Sequence, residues 1–123
     1  MLTDAPIFGQ HIWSGNGNPR TIFFIGPDGS MGLYEYASDT HYTVSSVWQL
    51  NNWHHMAWVR IGKSIKLYVD GAQVGEKTDG PDTWSDNSNN AFVGYGPDSS
   101  GNEAYVTGFI DELRVTNGVA VYT

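Results

Sequence analysis

Trp84 lies in a long polar stretch whose side chains could hold a sugar. Asp82 precedes the tryptophan, and Asp86 and Asn87 follow it, so one aromatic ring and several hydrogen-bonding groups share a short segment. Sugar sites need an exposed aromatic face that packs on the apolar face of a pyranose, together with carboxylates or amides that bind its hydroxyls. The stretch therefore predicts a carbohydrate contact. Packing of Trp84 over the core or against another subunit explains the same residues equally well.

A second aromatic group offers alternative sugar contacts. Trp13 is followed by Asn16 and Asn18 in a turn-rich stretch, and Tyr36 ends a predicted strand. We expect Trp13 and Tyr36 to lie near one sheet face. The remaining tryptophans are predicted to pack in the core: Trp48, Trp53 and Trp58.

The spacing of acids and histidines does not support catalysis. Asp111 and Glu112 are adjacent, so in a strand their side chains point to opposite faces and cannot flank one glycosidic bond. His54 and His55 are adjacent as well, and both cannot reach one zinc ion from a regular strand. His55 is predicted to be a packed histidine, and no G-x-S-x-G elbow occurs. We expect no catalytic residues and no enzyme activity.

The composition excludes several other classes of protein. The 123 residues fit one domain, residues 1–123, that is large enough to bury a core. Thirteen Asp and Glu against six Lys and Arg give a net charge of -7, which repels nucleic acid and anionic membranes. The sequence has no cysteine and no apolar run long enough to span a membrane. We expect neither nucleic-acid binding nor membrane insertion.

The elements that would position these side chains are strands joined by tight turns. Nearly every position from residue 53 to residue 60 is apolar or aromatic, on both parities, which predicts a central strand covered on both faces. Residues 65–69 alternate between apolar and polar, the period of a half-buried strand. Asp70 and Gly71 suit a two-residue hairpin turn, and residues 72–75 return alongside. The sequence thus predicts a β-meander.

Further strands are predicted on both sides of this meander. They cover residues 7–13, 21–25, 31–36, 42–50, 91–95 and 104–115. In the last strand Asp111 shares the parity of Phe109 and Leu113, so its carboxylate is expected to be buried among apolar neighbours. A buried carboxylate needs hydrogen-bond or metal partners, because burying it bare costs several kcal/mol.

Two motifs resemble a known superfamily. The first is Trp53-His54-His55, followed by a glycine break and the hairpin "KLYVDG" at residues 66–71. The second is the closing "GFIDELRV" at residues 108–115, with a "GVAVYT" tail. Together they resemble the laminin G-like branch of the concanavalin A-like lectin/glucanase superfamily. The closing motif is most similar to the versions in bacteriophage and bacterial surface proteins.

This resemblance implies an all-β fold, an antiparallel β-sandwich of the jelly-roll type. It also implies a non-catalytic carbohydrate- or protein-binding module in a virion or on an extracellular or cell surface, with a glycan or a neighbouring protein chain as partner. The alternative is a structural virion subunit, such as a capsid decoration or fibre protein completed by oligomerisation. A degenerate glycan-active enzyme is a weaker alternative, since the superfamily's acid motif E-x-D-x-x-E is absent.

The opening strand of the family pattern is missing upstream of residue 7. We expect that the protein has lost this strand, that the chain is a piece of a longer one, or that a neighbouring subunit supplies the strand at an open edge. The chain is therefore expected to be an oligomer or a part of a larger assembly.

The resemblance also makes Ca²⁺ a candidate ligand, because many relatives hold it with loop carboxylates and carbonyls. Asp98, Asn102 and Glu103 form an oxygen-rich group in a polar stretch. Ordinary turn residues on a solvated loop explain the same group. Calcium binding and a plain solvated loop both stay open.

Overall fold

All regular structure in the described part of the chain is β-strand. The computed structural model describes residues 4–10, 21–35, 38–82, 91–97 and 103–120. The strands in these ranges are β1 Ala5–Gln10, β2 Thr21–Ile25, β3 Met31–Glu35, β4 Thr40–Val44, β5 Met56–Ile61, β6 Ser64–Val69, β7 Ala72–Lys77, β8 Ala91–Val93, β9 Tyr95–Pro97 and β10 Glu103–Tyr105. Within the same ranges, no helix has the length and apolar character needed to cross a membrane.

The strands form two main sheets. The larger sheet has five strands in the order β4-β3-β2-β1-β8, and the smaller sheet has three in the order β5-β6-β7. A further two-stranded ladder joins β9 and β10. Every paired strand runs antiparallel to its neighbour. The predicted all-β sandwich is confirmed.

The core lies between the larger and the smaller sheet. Met31 and Leu33 of β3 meet β6 side chains of matching parity, and all are at most 5 % exposed: Ile65, Leu67 and Val69. The indole N–H of Trp58 donates to the Gly32 carbonyl oxygen at 2.9 Å, so a polar bond also crosses between the sheets. Burying each large aliphatic side chain contributes about 1.5–3 kcal/mol, which makes this cluster the main source of stability.

The smaller sheet covers only part of the larger sheet. The rings of Phe23 and Trp58 have centroids 5.8 Å apart, which places β5 opposite β2. A side chain at Gly75 would meet Val44 Cγ1 at 2.6 Å, which places β7 opposite β4. Among the described residues, no strand of the smaller sheet therefore lies opposite β1 and β8.

The hairpin turn of the predicted meander is confirmed, but the predicted central position of its first strand is wrong. Asp70 and Gly71 have φ values of 51° and 83°, the positive values that a type I′ hairpin turn requires. However, β5 begins at Met56, and in the sheet formed by the described residues it lies at the edge, whereas a central strand was predicted. Val59 is only 8 % exposed. The other five residues of β5 are half-buried or exposed, so the apolar pattern occurs here without full cover on both faces and without a neighbour on both edges.

Two other predicted strands are shorter in the structure. The strand predicted over 42–50 ends at Val44, because Ser46 has a φ of 58° and turns the chain. The closing strand predicted over 104–115 ends at Tyr105. A strand needs a paired edge, and no strand of the described residues pairs with the chain beyond this point.

The predicted burial of Asp111 is consequently wrong. Its carboxylate is exposed, and Phe109 two residues before it is 88 % exposed. Glu112 has a φ of 50°, which interrupts the extended conformation. Because no sheet forms here, the alternation of side chains does not produce a buried face.

Candidate functional site

Two separate groups of polar and aromatic side chains lie at the opposite ends of β5. Trp53 and His54 precede the strand, whereas Arg60 lies near its other end. Strand residues advance about 3.3 Å each, so Met56 and Arg60 are roughly 13 Å apart. A single small sugar cannot contact both groups.

Most residues predicted to contact sugar or calcium lie outside the described residues. They are Trp13, Tyr36, Trp84, Asp86, Asn87, Asp98 and Asn102. These assignments stay predictions. Of the residues that sequence analysis selected, Asp82 and Glu103 are described.

Glu103 lies in β10, where its carboxylate accepts a hydrogen bond from the Tyr105 hydroxyl at 2.7 Å. This bond is the main cause that raises the pKa of Tyr105. In the described ranges, no group of three His, Cys, Asp or Glu side chains is arranged to hold a metal ion. Melting curves in calcium and in chelator test the predicted site directly, since an ion that binds only the folded state raises the melting temperature.

Asp82 lies at the Arg60 end of β5. Its exposed carboxylate forms an ion pair with Lys63 Nζ at 3.0 Å, and its backbone carbonyl accepts from Arg60 Nη2 at 2.9 Å. Arg60 Nη2 also donates to the Pro81 carbonyl at 3.1 Å. One guanidinium thus fixes the start of the polar stretch that contains Trp84.

Glu35 adds a buried acid at the end of β3. It is fully buried, and its carboxylate accepts hydrogen bonds from the Ser38 N–H at 2.8 Å and from the Ser38 hydroxyl. Burial lowers the pKa of Arg60, while Asp82 and Glu35 act in the opposite direction. These two carboxylates therefore favour the charged form of the partly buried guanidinium.

A cavity of about 120 Å³ adjoins Arg60 between the two sheets. Apolar side chains and the guanidinium line it: Phe23, Trp58, Val59, Arg60 and Ile65. Pockets that hold small-molecule ligands usually measure about 300–1,000 Å³. This cavity is too small for a sugar and is better explained as incomplete packing at the β5 side of the sandwich.

The exposed tryptophan lies at the other end of β5. Trp53, which was predicted to pack in the core, is 71 % exposed. It belongs to a loop of residues 49–54, named here the Trp53 loop. Asn51 has a φ of 64°, a value that asparagine tolerates well, and the Asn52 amide donates to the Leu50 carbonyl at 3.2 Å. The loop therefore has a defined turn.

The Trp53 loop is anchored to the hairpin turn between β6 and β7. His54 Nδ1 donates to Asp70 Oδ2 at 2.7 Å, and the other carboxylate oxygen accepts the His55 N–H at 2.9 Å. The Asp70 N–H donates in return to the His55 carbonyl at 2.8 Å. The side-chain hydrogen bond between His54 and Asp70 raises the pKa of His54 and lowers the pKa of Asp70.

His54 also closes the Trp53 loop on itself. Its Nε2 lies 3.2 Å from the Gln49 backbone nitrogen and 3.0 Å from the Gln49 carbonyl oxygen. A neutral ring accepts the Gln49 N–H at Nε2, and a protonated ring donates to the carbonyl instead. Next to Gln49, the indole N–H of Trp48 donates to the Ser30 carbonyl at 2.7 Å. The loop that carries the exposed indole of Trp53 is therefore held by several hydrogen bonds.

Comparison with known families decides the ancestry of the chain. A family model for laminin G-like domains, described as the concanavalin A-like lectin/glucanases superfamily, matches residues 2–120. The chain belongs to this superfamily. The family predicted from the Trp-His-His and closing motifs is confirmed.

One solved structure that is similar to this chain is an S-layer domain-containing protein, residues 221–444, from Clostridium thermocellum ATCC 27405. It is 22 % identical in sequence, with a TM-score of 0.47, and the match covers 95 % of this chain. The chain spans 58 % of the length of that structure. No curated protein matches this chain.

The superfamily includes both lectins and glucanases, so the positions of the acids matter. Asp111 and Glu112 are adjacent and exposed on a stretch without a strand, and Glu35 is buried and bonded to Ser38. Glu35 is fully buried and is therefore not accessible to a sugar in solvent. Hydrolysis of a glycosidic bond requires two carboxyl groups about 5–9.5 Å apart on either side of the sugar.

Sequence reasoning missed Trp53 because it assigned the residue to a strand. The signal that could have found it is the Asn51-Asn52 pair immediately before the tryptophan, since asparagines at consecutive positions favour a turn. A strand that starts after this turn leaves Trp53 in the loop. His55, which was predicted to be packed, is exposed for the same reason.

Proposed function

We propose that this chain is a non-catalytic carbohydrate-binding module of a surface assembly, in a phage virion or on a bacterial cell. The observation that carries the proposal is the indole of Trp53, which is 71 % exposed. Burying a large apolar side chain stabilises a fold by about 1.5–3 kcal/mol, so a tryptophan held in water forgoes that gain. Its position on an anchored loop supports a role in contact with a partner.

The neighbours of Trp53 suit a sugar. Asn51 and Asn52 are exposed beside the indole and carry amide groups that can donate to and accept from hydroxyls. A pyranose presents an apolar face for stacking and a rim of hydroxyls, so it matches an indole flanked by amides. Since the loop is fixed by His54 and Asp70, binding would cost little ordering entropy.

The surface setting rests on the closing motif. Residues 108–115 are similar to the corresponding segment of phage and bacterial surface proteins. The proposal of a non-catalytic role rests on the acids of the described residues, where Asp111 and Glu112 stand side by side and exposed. Superfamily membership is compatible with both proposals.

A glycan array followed by calorimetry with the best ligand tests this function. We expect binding, and we expect Trp53→Ala to weaken it at least about tenfold, which corresponds to about 1.4 kcal/mol. Leu50→Ala is the matched control, because Leu50 is 57 % exposed on the same loop and has no aromatic face. An array without ligands, on protein with an unchanged melting temperature, would contradict carbohydrate binding.

Trp84→Ala should be measured in parallel, since Trp84 is the sugar contact predicted from the sequence. Loss of binding in Trp84→Ala with full binding in Trp53→Ala would assign the ligand contact to Trp84 instead of Trp53. The module would then bind carbohydrate through the stretch that begins at Asp82.

A second candidate is a structural subunit that binds a protein chain. It is favoured by the apolar side chains exposed after β10: Phe109 at 88 %, Leu113 at 45 % and Val115 at 66 %. These residues lie far along the chain from the Trp53 loop, so the two functions are not exclusive.

A further inference from the structure

The sandwich is incomplete at the outer side of β5. Because β5 lies opposite β2 and β7 opposite β4, no strand of the smaller sheet lies opposite β1, and β9 and β10 are the described strands that contact β1 instead. A cavity of about 120 Å³ lies beside β5 and is lined by residues of β2, β5 and β6. Protein interiors are normally close-packed, so an apolar cavity beside an edge strand indicates a missing packing partner.

The two edges of the smaller sheet differ in how well they accept another strand. The β7 edge carries Glu76 and Lys77 and contains Gly75, and its pairing with β6 has an irregular register. Charges and bulges of this kind protect an edge against further pairing. In contrast, β5 reads MAWVRI and has one charged residue, Arg60, near its end. Among the described strands of the smaller sheet, β5 therefore has the less protected edge.

The same chain also carries a strand-like sequence after β10. Residues 109–115 read FIDELRV, with Phe109, Asp111, Leu113 and Val115 on one parity. No strand of the described residues pairs with this segment. Glu112 has a φ of 50°, a left-handed conformation that strains a residue other than glycine. Pairing in a sheet would remove this strain and cover the apolar parity.

We propose that residues 109–115 of one copy of this chain pair with the β5 edge of a second copy. The backbone of the segment supplies the hydrogen-bond partners that an edge strand lacks, as in other cases of β-strand addition. Each copy has one such segment and one such edge. Reciprocal exchange therefore closes a symmetric dimer.

The chemistry of the segment matches the cavity. When Phe109 and Leu113 face the core, Asp111 faces it as well, because the three share one parity. The cavity is apolar except for the guanidinium of Arg60, so two apolar side chains and one carboxylate meet a complementary surface. The pairing also gives Asp111 the charged partner that a buried carboxylate requires.

A second copy is favoured because the segment pairs with no described strand of its own chain, although it begins beside β1. The Val106 N–H donates to the Gly94 carbonyl at 2.9 Å, and Ile110 Cδ1 lies 3.4 Å from the point where a Gly94 Cβ would be. Gly94 connects β8 with β9, next to β1 of the larger sheet. In its own chain the segment starts there and leaves Phe109 and Val115 in water.

Light scattering coupled to size exclusion tests the dimer over a range of protein concentrations. We expect a dimer for the unmodified chain and a monomer for the double variant Leu113→Asp, Val115→Asp. Val119→Asp is the matched control, because Val119 is 74 % exposed but lies outside the segment, and it should remain dimeric. A monomeric unmodified chain, or a double variant that stays dimeric, would overturn the proposal.

Hydrogen exchange then locates the contact. Amides of residues 56–61 should exchange at least about tenfold more slowly in the dimer than in the monomeric double variant, while those of residues 72–77 should not change. A synthetic peptide of residues 107–117 added to the double variant should restore the protection of 56–61. New protection of residues 72–77 instead of 56–61 would show that the β5 edge is the wrong one.

The dimer is independent of carbohydrate binding. Trp53→Ala should leave the mass in solution unchanged, and the monomeric double variant should bind the same glycans as the unmodified chain. Failure of one proposal therefore leaves the other intact.

Discussion

Strand β6 and residues 109–115 have the same period-two pattern and different structures. In β6, Ile65, Leu67 and Val69 alternate with polar residues and are at most 5 % exposed. In residues 109–115 the alternating apolar side chains are exposed, and no strand forms among the described residues. The difference lies in what stands beside each segment, since β6 pairs with β5 and β7. Alternation therefore predicts the capacity to form a strand, and the neighbouring edge decides whether it forms.

The largest difference in stability is expected when one leucine of each segment is replaced by alanine. Leu67→Ala should lower the free energy of unfolding by about 2–5 kcal/mol, because it removes fully buried methyl groups from the core. Leu113→Ala should cost less than about 0.5 kcal/mol in the monomer, as expected for an exposed position. Urea denaturation at low protein concentration measures both.

A large loss for Leu113→Ala at every concentration would mean that residues 109–115 pack on their own chain. A loss that appears only at high protein concentration would instead agree with the proposed strand exchange, since stability then includes dimerisation.

The next test compares two glycines with positive φ. Gly71→Ala should destabilise the fold by about 1–2 kcal/mol, because its φ of 83° is fixed by the hairpin turn. Gly118→Ala should cost no more than about 0.5 kcal/mol, although its φ is 98°, since the unpaired backbone around it can relax. Thermal melts of both variants provide the measurement. Equal losses would show that residues near Gly118 are held as firmly as the hairpin.

The smallest expected effect is the pH dependence of the anchor between His54 and Asp70. The pKa of His54 is raised, so its stabilising contribution is complete below the ordinary value of 6.5 and is lost as the pH rises through the raised value. The pKa of Asp70 is lowered, so its contribution is present above the ordinary 3.8 and is lost as the pH falls through the lowered value. The melting temperature should therefore be highest between these two limits.

Asp70→Asn checks the assignment of this pH effect. The variant should bring the pKa of His54, followed by NMR, back towards its ordinary value and should flatten the alkaline fall in melting temperature. Residues 109–115 have no such anchor among the described contacts, so Asp111→Asn should leave the alkaline fall unchanged. An unshifted His54 in Asp70→Asn would contradict the cause given for its raised pKa.

The sequence predicted the local features well and the long-range ones less well. The Asp70-Gly71 turn and the alternation of β6 were correct, because both depend on residues that are close in the chain. The edge position of β5 and the failure of the 104–115 strand depend on which strand lies alongside. Neither the composition nor the period of a segment contains that information.

The candidate site was predictable only in part. Sequence analysis looked for an exposed tryptophan and selected Trp84. The strand predicted over 53–60 began three residues too early and placed the exposed Trp53 inside it. Boundaries of elements depend on single hydrogen bonds, such as the one between His54 and Asp70, which join residues far apart in sequence. Trp84 stays a prediction.

The position of His54 Nε2 between the nitrogen and the oxygen of Gln49 has a practical consequence for work with this protein. Imidazole and imidazolium each find a backbone partner at that point, so the 49–54 turn keeps its shape through neutral and mildly acidic buffers. Ligand screens can accordingly be run at neutral or mildly acidic pH, and the position of the Trp53 indole on this turn should not change.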